Sequence, residues 1–346
     1  MKMITVFNLI VLALSGALPS GNSAAQAGPI WVQRETFLMG TVLRAQAAAD
    51  DRAAGFEALE AAFFEVRRLE GVLSSWTTDS GIGQINSAAV GEAVPMSREL
   101  TALLTEAMGW SRITEGAFDP AVGALVDAWE LRGVGRLPTH EELATALRAS
   151  GRERFPMDDR DGTVLRTTPG AWLDTGGFGK GAALRAAERI LRSRGIDAAM
   201  LDFGGQVLAY GAPPTGEATW EIAVAHPAER QTAAVMVRIR SGSVSTSAQS
   251  ERYVEVDGER YGHVLDPRTG WPMAAWGSVT VVAADPLVAD VLSTALFVMG
   301  AEEGRQWAAE RDEGVLFLEV RDGSVVASWN QAFETYRVNH QATSET

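Results

Sequence analysis

Apolar residues recur at steps of three and four between Arg52 and Leu73. Leu59, Ala62, Phe63, Val66, Leu69 and Leu73 share one stripe, which predicts an amphipathic helix. Gly71 is expected to fray its last turn. Ser97 is placed to cap a helix from Arg98 to Thr114. Pro120 is expected in the first turn of a short helix ending near Trp129. Thr139 followed by Glu142 reads as a capping box for a helix ending near Ala149. A strand is predicted over Phe37 to Ala45, and another over Ala171 to Leu173. A glycine cluster follows, then a helix from Ala182 to Arg194. After Gly195 the pattern becomes strand-like: Ala198 to Phe203, Val207 to Tyr210, Trp220 to Ala225, Ala234 to Ile239, Tyr253 to Val256 and Val279 to Ala283. Asp285 and Pro286 read as the cap and first residue of a helix reaching Met299. Strands at Val315 to Val320 and Ser324 to Trp329 complete the map. Helices gather early and strands late, which predicts an α+β fold rather than regular βαβ alternation.

The first stretch has another character. Lys2 precedes the apolar run Ile4 to Leu18, and Ala25-Gln26-Ala27 fits a small-x-small cleavage site. Residues 1–27 are expected to be a cleaved signal peptide, with an uncleaved anchor as the alternative. No cysteine follows the run, and no twin arginine precedes it. A soluble periplasmic protein is the expectation. Residues 28–338 are expected to form the working domain and 339–346 a polar, frayed tail.

Composition narrows the chemistry. The 346-residue chain carries 30 basic and 44 acidic residues, a net charge of −14, which argues against nucleic acid as a partner. It has no cysteine, so disulfides, thiolate metal sites and cysteine nucleophiles are excluded. Lys2 and Lys180 are the only lysines; the other 28 of the 30 basic residues are arginine. Lys180 stands inside Gly176-Gly177-Phe178-Gly179-Lys180-Gly181. Glycines admit close backbone approach, a helix start attracts anions, and lysine is a compact point charge. A ligand-facing Lys180 is the expectation, against a drift to arginine codons. The run matches neither a P-loop nor G-x-G-x-x-G.

Three further segments carry candidate chemistry. Asp290 and Thr294 are four apart on the helix begun at Pro286, so their oxygens share a face. Such a pair suits a hard cation such as Mg²⁺ when a backbone carbonyl and phosphate oxygens complete it; an aspartate serving the helix dipole is the plainer alternative. His263 precedes Asp266-Pro267-Arg268-Thr269-Gly270, itself first of all a turn. It is read either as functional or as a hydrogen-bonded structural histidine. Asp119, in Gly116-Ala117-Phe118-Asp119-Pro120, is expected to cap.

Together these segments resemble the FAD:protein FMN transferase family, the ApbE family. The resemblance runs from Met39-Gly40-Thr41 to Gly300. It includes Ser74-Ser75-Trp76 with Ile85-Asn86, Ala117 to Pro120, Leu173 to Gly181, Phe203-Gly204-Gly205, Ser245-Thr246-Ser247, His263 to Gly270, and Ala289-Asp290 to Thr294. It implies an ApbE-like two-lobed fold with the flavin site between the lobes. It implies an exported, Mg²⁺-dependent enzyme that splits FAD. FMN passes to a Thr or Ser hydroxyl of a target protein, such as an exported subunit of a redox complex, and AMP leaves. The resemblance puts FAD contacts at Met39, Trp76, Ala117, Phe118, Asp119, Asp174, Lys180 and His263. It puts Mg²⁺ on the Gly177 carbonyl, Asp290, Thr294 and Ser293. Lys180 and His263 are the catalytic candidates. The rival readings are an exported FAD-binding or flavin-delivery protein and an FAD pyrophosphatase. Three positions depart from the family pattern: Arg185 and Gln206, where aspartate is usual, and Ala248, where glycine is usual.

Overall fold

The computed structural model describes residues 28–158, 160–249, 253–256 and 258–338. The expected signal peptide, 1–27, and tail, 339–346, lie outside the described residues. No helix among the described residues is long and apolar enough to cross a membrane.

Strands β1 (Ile30–Leu38) and β2 (Thr41–Ala49) form an antiparallel hairpin. The predicted single strand across Met39-Gly40 is therefore wrong. Both residues take positive φ, 48° and 75°, and turn the chain back; paired positive φ values match the right-handed twist of the flanking strands. Helix α1 (Arg52–Leu73) has the predicted bounds, and its last turn does not break at Gly71. The short helix α2 (Gly81–Ser87) and strand β3 (Ala93–Pro95) follow. Helix α3 (Arg98–Ile113) is capped by Ser97 as expected. Helix α4 (Gly123–Ala128) starts after Pro120, which lies outside it. Helix α5 (His140–Arg148) carries the full Thr139–Glu142 capping box. Strands β4 (Met157–Asp158) and β5 (Thr163–Leu165) complete a small sheet with β3.

Ala171 to Leu173 is not a strand. The Asn86 side chain satisfies the Leu173 backbone on both sides, accepting from its N–H at 2.7 Å and donating to its carbonyl at 3.0 Å. Those groups then have no need of a neighbouring strand. Helix α6 (Gly179–Ser193) begins three residues before the prediction and contains Lys180.

The later strands are β6 (Ala199–Phe203), β7 (Gln206–Tyr210), β8 (Trp220–Ala225), β9 (Ala233–Ile239), β10 (Ser241–Ala248), β11 (Tyr253–Val256), β12 (Glu259–Gly262) and β13 (Gly277–Ala283). Helix α7 (Pro286–Ala308) has the Asp285 cap and is interrupted at Gly300 (φ 76°, ψ 175°), just past the predicted end at Met299. Strands β14 (Gly314–Arg321) and β15 (Ser324–Trp329) finish the fold.

The main sheet has eight strands in the order β1-β2-β6-β7-β10-β13-β14-β15, antiparallel throughout. Its central strands are buried on both faces. Leu201, Leu208 and Val281 join one core with α1, α6 and α7. Met200, Val207 and Val282 join a second core with the β8–β9 hairpin. Alternate residues thus enter opposite cores, which explains why these strands read as continuous apolar runs. The fold class is α+β, as predicted.

This packing sets functional segments side by side. Gly204 N–H donates to the Val42 carbonyl at 3.1 Å, so the turns at Met39-Gly40 and Gly204-Gly205 share one end of the sheet. The starts of α6 and α7 meet face to face. A Cβ on Gly181 would fall 2.5 Å from the Pro286 carbonyl oxygen and 2.6 Å from Leu287 Cα, so only glycine permits this approach.

Candidate active site

Helix α6 opens with no capping side chain from Phe178, the residue before it. Gly179 N–H is met by the Thr175 carbonyl at 2.8 Å, but the buried Gly181 N–H in the same turn needs an acceptor. Asp290, on α7, supplies one: Oδ2 accepts from Gly181 N–H at 2.9 Å. The other oxygen, Oδ1, lies 3.0 Å from Lys180 Nζ. Asp290 is 3% exposed. A buried carboxylate needs such partners, and here a helix N-terminus and an ammonium group provide them. The two sharpest sequence candidates are thus brought together, as an ion pair.

Thr294 lies one turn further along α7 and donates to the Asp290 carbonyl at 3.2 Å. A Cβ on Gly177 would meet Phe118 at 3.0 Å and the Thr294 methyl at 3.7 Å. The Gly176-Gly177 turn is therefore seated directly over Thr294. Ser293 shares the Asp290 carbonyl as its acceptor, donating to it at 3.0 Å, but it is also tied to the sheet. Its hydroxyl is fully buried against Ser245 and Ser247 of β10, at 3.1 and 3.0 Å.

Among the described residues no three of His, Asp or Glu converge as a ready-made metal cage. The donor set at Asp290 fits a different type of site. One carboxylate, the Thr294 hydroxyl and the Gly177 backbone are hard oxygen donors on neighbouring elements. A carboxylate offers about four lone-pair positions, of which Lys180 and Gly181 take two. Mg²⁺ is commonly held this way, by one or two carboxylates plus substrate phosphates.

Met39 borders the same turn. Its φ of 48° is unusual for a residue other than glycine. Glu70 on α1 fixes it, accepting from the Met39 N–H at 2.7 Å. The Met39 side chain lies against Gly179, where a Cβ would be 3.2 Å from its Cε.

A second group of candidates surrounds Trp76 and Asp174. Asp174 Oδ1 accepts from Gly176 N–H at 2.7 Å, which ties it to the glycine turn. Oδ2 accepts from the Arg132 guanidinium at 2.6 Å. Trp76 is 71% exposed, yet its ring is stacked by Arg132 at 4.3 Å. A cleft of about 280 Å³ lies on this side, lined by Arg132, Ser75, Asn86 and Trp172 among others.

Ala117, Phe118 and Asp119 are buried. Phe118 packs edge-on to Phe178 and so supports the glycine turn. The Asp119 carboxylate is spent within the protein. It accepts from Ala121 N–H at 2.8 Å, Ser111 Oγ at 2.8 Å and Arg152 N–H at 3.0 Å. It organises a turn rather than a helix start, and burial pushes its pKa above the usual range. His263 is half-buried and follows β12 on a separate loop. Gln249 pins the backbone beside it, donating to the Val264 carbonyl at 2.8 Å and accepting from Val264 N–H at 3.1 Å. Asp266 to Gly270 forms the predicted turn, closed by Gly270 N–H to the Asp266 carbonyl at 2.7 Å.

The departures each have a place. Arg185 grips Glu106 of α3 and Asp285, the cap of α7, with two contacts to each carboxylate between 2.6 and 2.9 Å. Gln206 donates to the Pro286 carbonyl at 2.8 Å, so it also touches the start of α7. Ala248 is buried at the end of β10.

The order of these segments decides the family. The ApbE family sequence profile matches residues 39–318, from the Met39 turn into β14. The chain belongs to the ApbE family. It is 30% identical over 281 residues to an FAD:protein FMN transferase of Klebsiella pneumoniae, covering 78% of this chain and 79% of that protein. It is 32% identical over 289 residues to one of Treponema pallidum, with coverages of 78% and 79%. Among solved structures, the Thermotoga maritima ApbE protein superposes with a TM-score of 0.82 at 30% identity, covering 90% of this chain and all of that one. The Pseudomonas stutzeri flavinyl transferase ApbE, in its apo form, gives 0.79 at 26% identity, covering 90% and 98%.

Sequence reasoning missed Arg132, Glu70 and Gln249. Arg132 is one of 28 arginines and lies in a loop with no motif. Glu70 falls on the polar side of an ordinary amphipathic helix. Gln249 follows a serine-rich strand that the apolar pattern did not predict.

Proposed function

We propose that this ApbE-family protein transfers FMN from FAD to a Thr or Ser hydroxyl of a target protein. The observation that carries the reading is the Lys180–Asp290 pair, set at the N-terminus of α6 beneath the glycine turn. It assembles a point cation, a helix start and a carboxylate-plus-hydroxyl donor set around one small volume. That is the equipment phosphoryl transfer needs, since the reaction is mainly positioning and charge neutralisation.

In the reaction the acceptor oxygen forms a bond to the phosphorus of the FMN half. The bond from that phosphorus to the bridging pyrophosphate oxygen breaks, AMP leaves with the bridging oxygen, and the hydroxyl loses its proton. Asp290, Thr294 and the Gly177 carbonyl would hold Mg²⁺, which supplies charge neutralisation for the phosphate oxygens. Lys180 places its ammonium group beside the pyrophosphate. His263 is assigned either to take the proton from the incoming hydroxyl or to position the phosphate. Trp76, Met39 and Asp174 line the ring side of the substrate, and Ala117, Phe118 and Asp119 support the turn from beneath. Ser293 fixes α7 to β10.

The protein is proposed to work in the periplasm, after removal of residues 1–27, on exported subunits of redox complexes. The amino-terminal pattern of Lys2, an apolar run and Ala25-Gln26-Ala27 supports that placement. The test is incubation of the purified protein with FAD, Mg²⁺ and candidate exported proteins, followed by in-gel flavin fluorescence. A fluorescent acceptor band that needs both FAD and Mg²⁺ is expected. Free FMN and AMP without a labelled band would make the protein a pyrophosphatase. Bound, uncleaved FAD would make it a carrier.

A further inference from the structure

Arg132 sits in the loop after α4, where no motif draws attention to it. Its guanidinium nonetheless touches four residues beside the glycine turn: Trp76, Trp172, Ser75 and Asp174. The guanidinium carbon lies over the Trp76 ring, 4.3 Å from the ring centre, and over the Trp172 ring at 4.2 Å. Its edge makes three hydrogen bonds as well. Nη1 donates to the Ser75 carbonyl at 2.8 Å, and Nη2 donates to Ser75 Oγ and to Asp174 Oδ2, both at 2.6 Å. Only a planar fork can do both at once; an ammonium group has no faces to stack and a different donor geometry.

The consequence falls on Trp76. This side chain is 71% exposed and has no helix or strand around it. A solitary exposed indole samples several rotamers, and fixing one costs entropy when a ligand arrives. Here Arg132 holds the ring from one side, while Ser75, its neighbour in sequence, is held at two atoms. The opposite ring face stays open to solvent. Arg132 also reaches the phosphate side of the site, because Asp174 passes the contact on to Gly176 N–H. A single side chain therefore links an open aromatic face to the turn that leads into Lys180.

We propose that Arg132 is a positioning residue that presents Trp76 as a pre-set stacking platform for a planar ring of FAD, in register with the Gly176–Lys180 turn. The proposal rests on the transferase reading above. It predicts that the planar fork matters rather than the charge, and that its effect passes through Trp76.

The test is a double-mutant cycle read by FAD affinity and by quenching of flavin fluorescence on binding. Arg132→Lys and Arg132→Ala are made in the wild type and in Trp76→Ala, with Ser75→Ala as a milder loosening of the same guanidinium. Melting temperatures check folding. Riboflavin and AMP are titrated separately, to tell which ring uses the platform. Arg132→Lys is expected to weaken FAD binding at least about tenfold with reduced quenching, and Ser75→Ala to shift both less in the same direction. In Trp76→Ala the Arg132 changes should cost less than about threefold, since coupled residues are not additive. Wild-type affinity and quenching in Arg132→Lys would overturn the proposal and leave the transferase reading standing. So would equal losses in both backgrounds. Absence of FAD binding by the wild-type protein would instead sink the transferase reading, and this proposal with it.

Discussion

Asp290 of α7 closes the N-terminus of α6 by accepting from Gly181 N–H at 2.9 Å, and the same carboxylate holds Lys180 at 3.0 Å. One buried residue therefore serves two ends. It caps a helix to which it does not belong, and it anchors the cation that this helix carries. Stability and chemistry at this site are coupled through a single side chain.

That coupling makes Asp290 separable by two substitutions. Asp290→Ala removes the cap and should cost about 1–2 kcal/mol in urea or thermal unfolding, the upper range for a lost cap. It should also abolish Mg²⁺-dependent FAD cleavage. Asp290→Asn keeps an acceptor for Gly181, so it should unfold closer to wild type while losing activity as completely. Equal stability for all three proteins would mean that the cap is idle.

Lys180→Arg keeps the positive charge but not its shape. The ammonium group sits 3.0 Å from Asp290 Oδ1, and a planar fork cannot keep that point contact in the same geometry. FAD binding or turnover should fall at least about tenfold, roughly 1.4 kcal/mol. The melting temperature should fall only slightly, since arginine keeps a cation beside the buried Asp290. Wild-type affinity and turnover would show that the ammonium group has no special place.

Gly181→Ala tests the contact between α6 and α7. Alanine would favour a helix by up to about 1 kcal/mol. Its methyl, however, would meet the Pro286 carbonyl oxygen at 2.5 Å and Asp290 Cβ at 2.9 Å. Overpacking of this kind costs about 1–3 kcal/mol, so net destabilisation is expected, with loss of activity as Asp290 shifts. A more stable, fully active variant would contradict the close approach.

Asp202 offers a test by pH. Burial pushes its carboxyl above the usual range, with the Gly205 N–H and Arg44 acting weakly against that. The folded state therefore keeps the proton to higher pH than the unfolded chain. Its contribution to stability is largest below the ordinary aspartate value of about 3.9 and is lost as pH rises through the raised folded value. Asp202→Asn keeps an acceptor for Gly205 and cannot ionise. Its melting temperature relative to wild type should rise between about pH 4 and pH 7. A constant difference across that range would show that the Asp202 carboxyl is unperturbed.

Much of this molecule was legible in the chain because its physics is local. The stripe from Leu59 to Leu73 marked α1 with its bounds, and the Thr139–Glu142 spacing marked the start of α5. Lys180 stood out because, Lys2 apart, arginine fills all 28 other basic positions, and Asp290 because of its spacing to Thr294. What the pattern could not show was their contact, which depends on two helices meeting at Gly181. The turn at Met39 was hidden because a non-glycine residue there takes positive φ under the hold of Glu70, 31 residues away. Strand β10, Ser-Gly-Ser-Val-Ser-Thr-Ser-Ala, was missed for a related reason. Its inward hydroxyls are satisfied by Ser293 of α7 and by Thr280 and Val207 of the neighbouring strands, so it needs no apolar alternation.

The central claim is transfer to a protein hydroxyl, and the intact mass of an acceptor tests it most directly. After incubation with FAD and Mg²⁺, the acceptor should gain one FMN less one water, at a single Thr or Ser, with AMP formed in equal amount. The gain should vanish in Asp290→Ala. An acceptor of unchanged mass beside stoichiometric free FMN, across all exported candidates tried, would contradict the account.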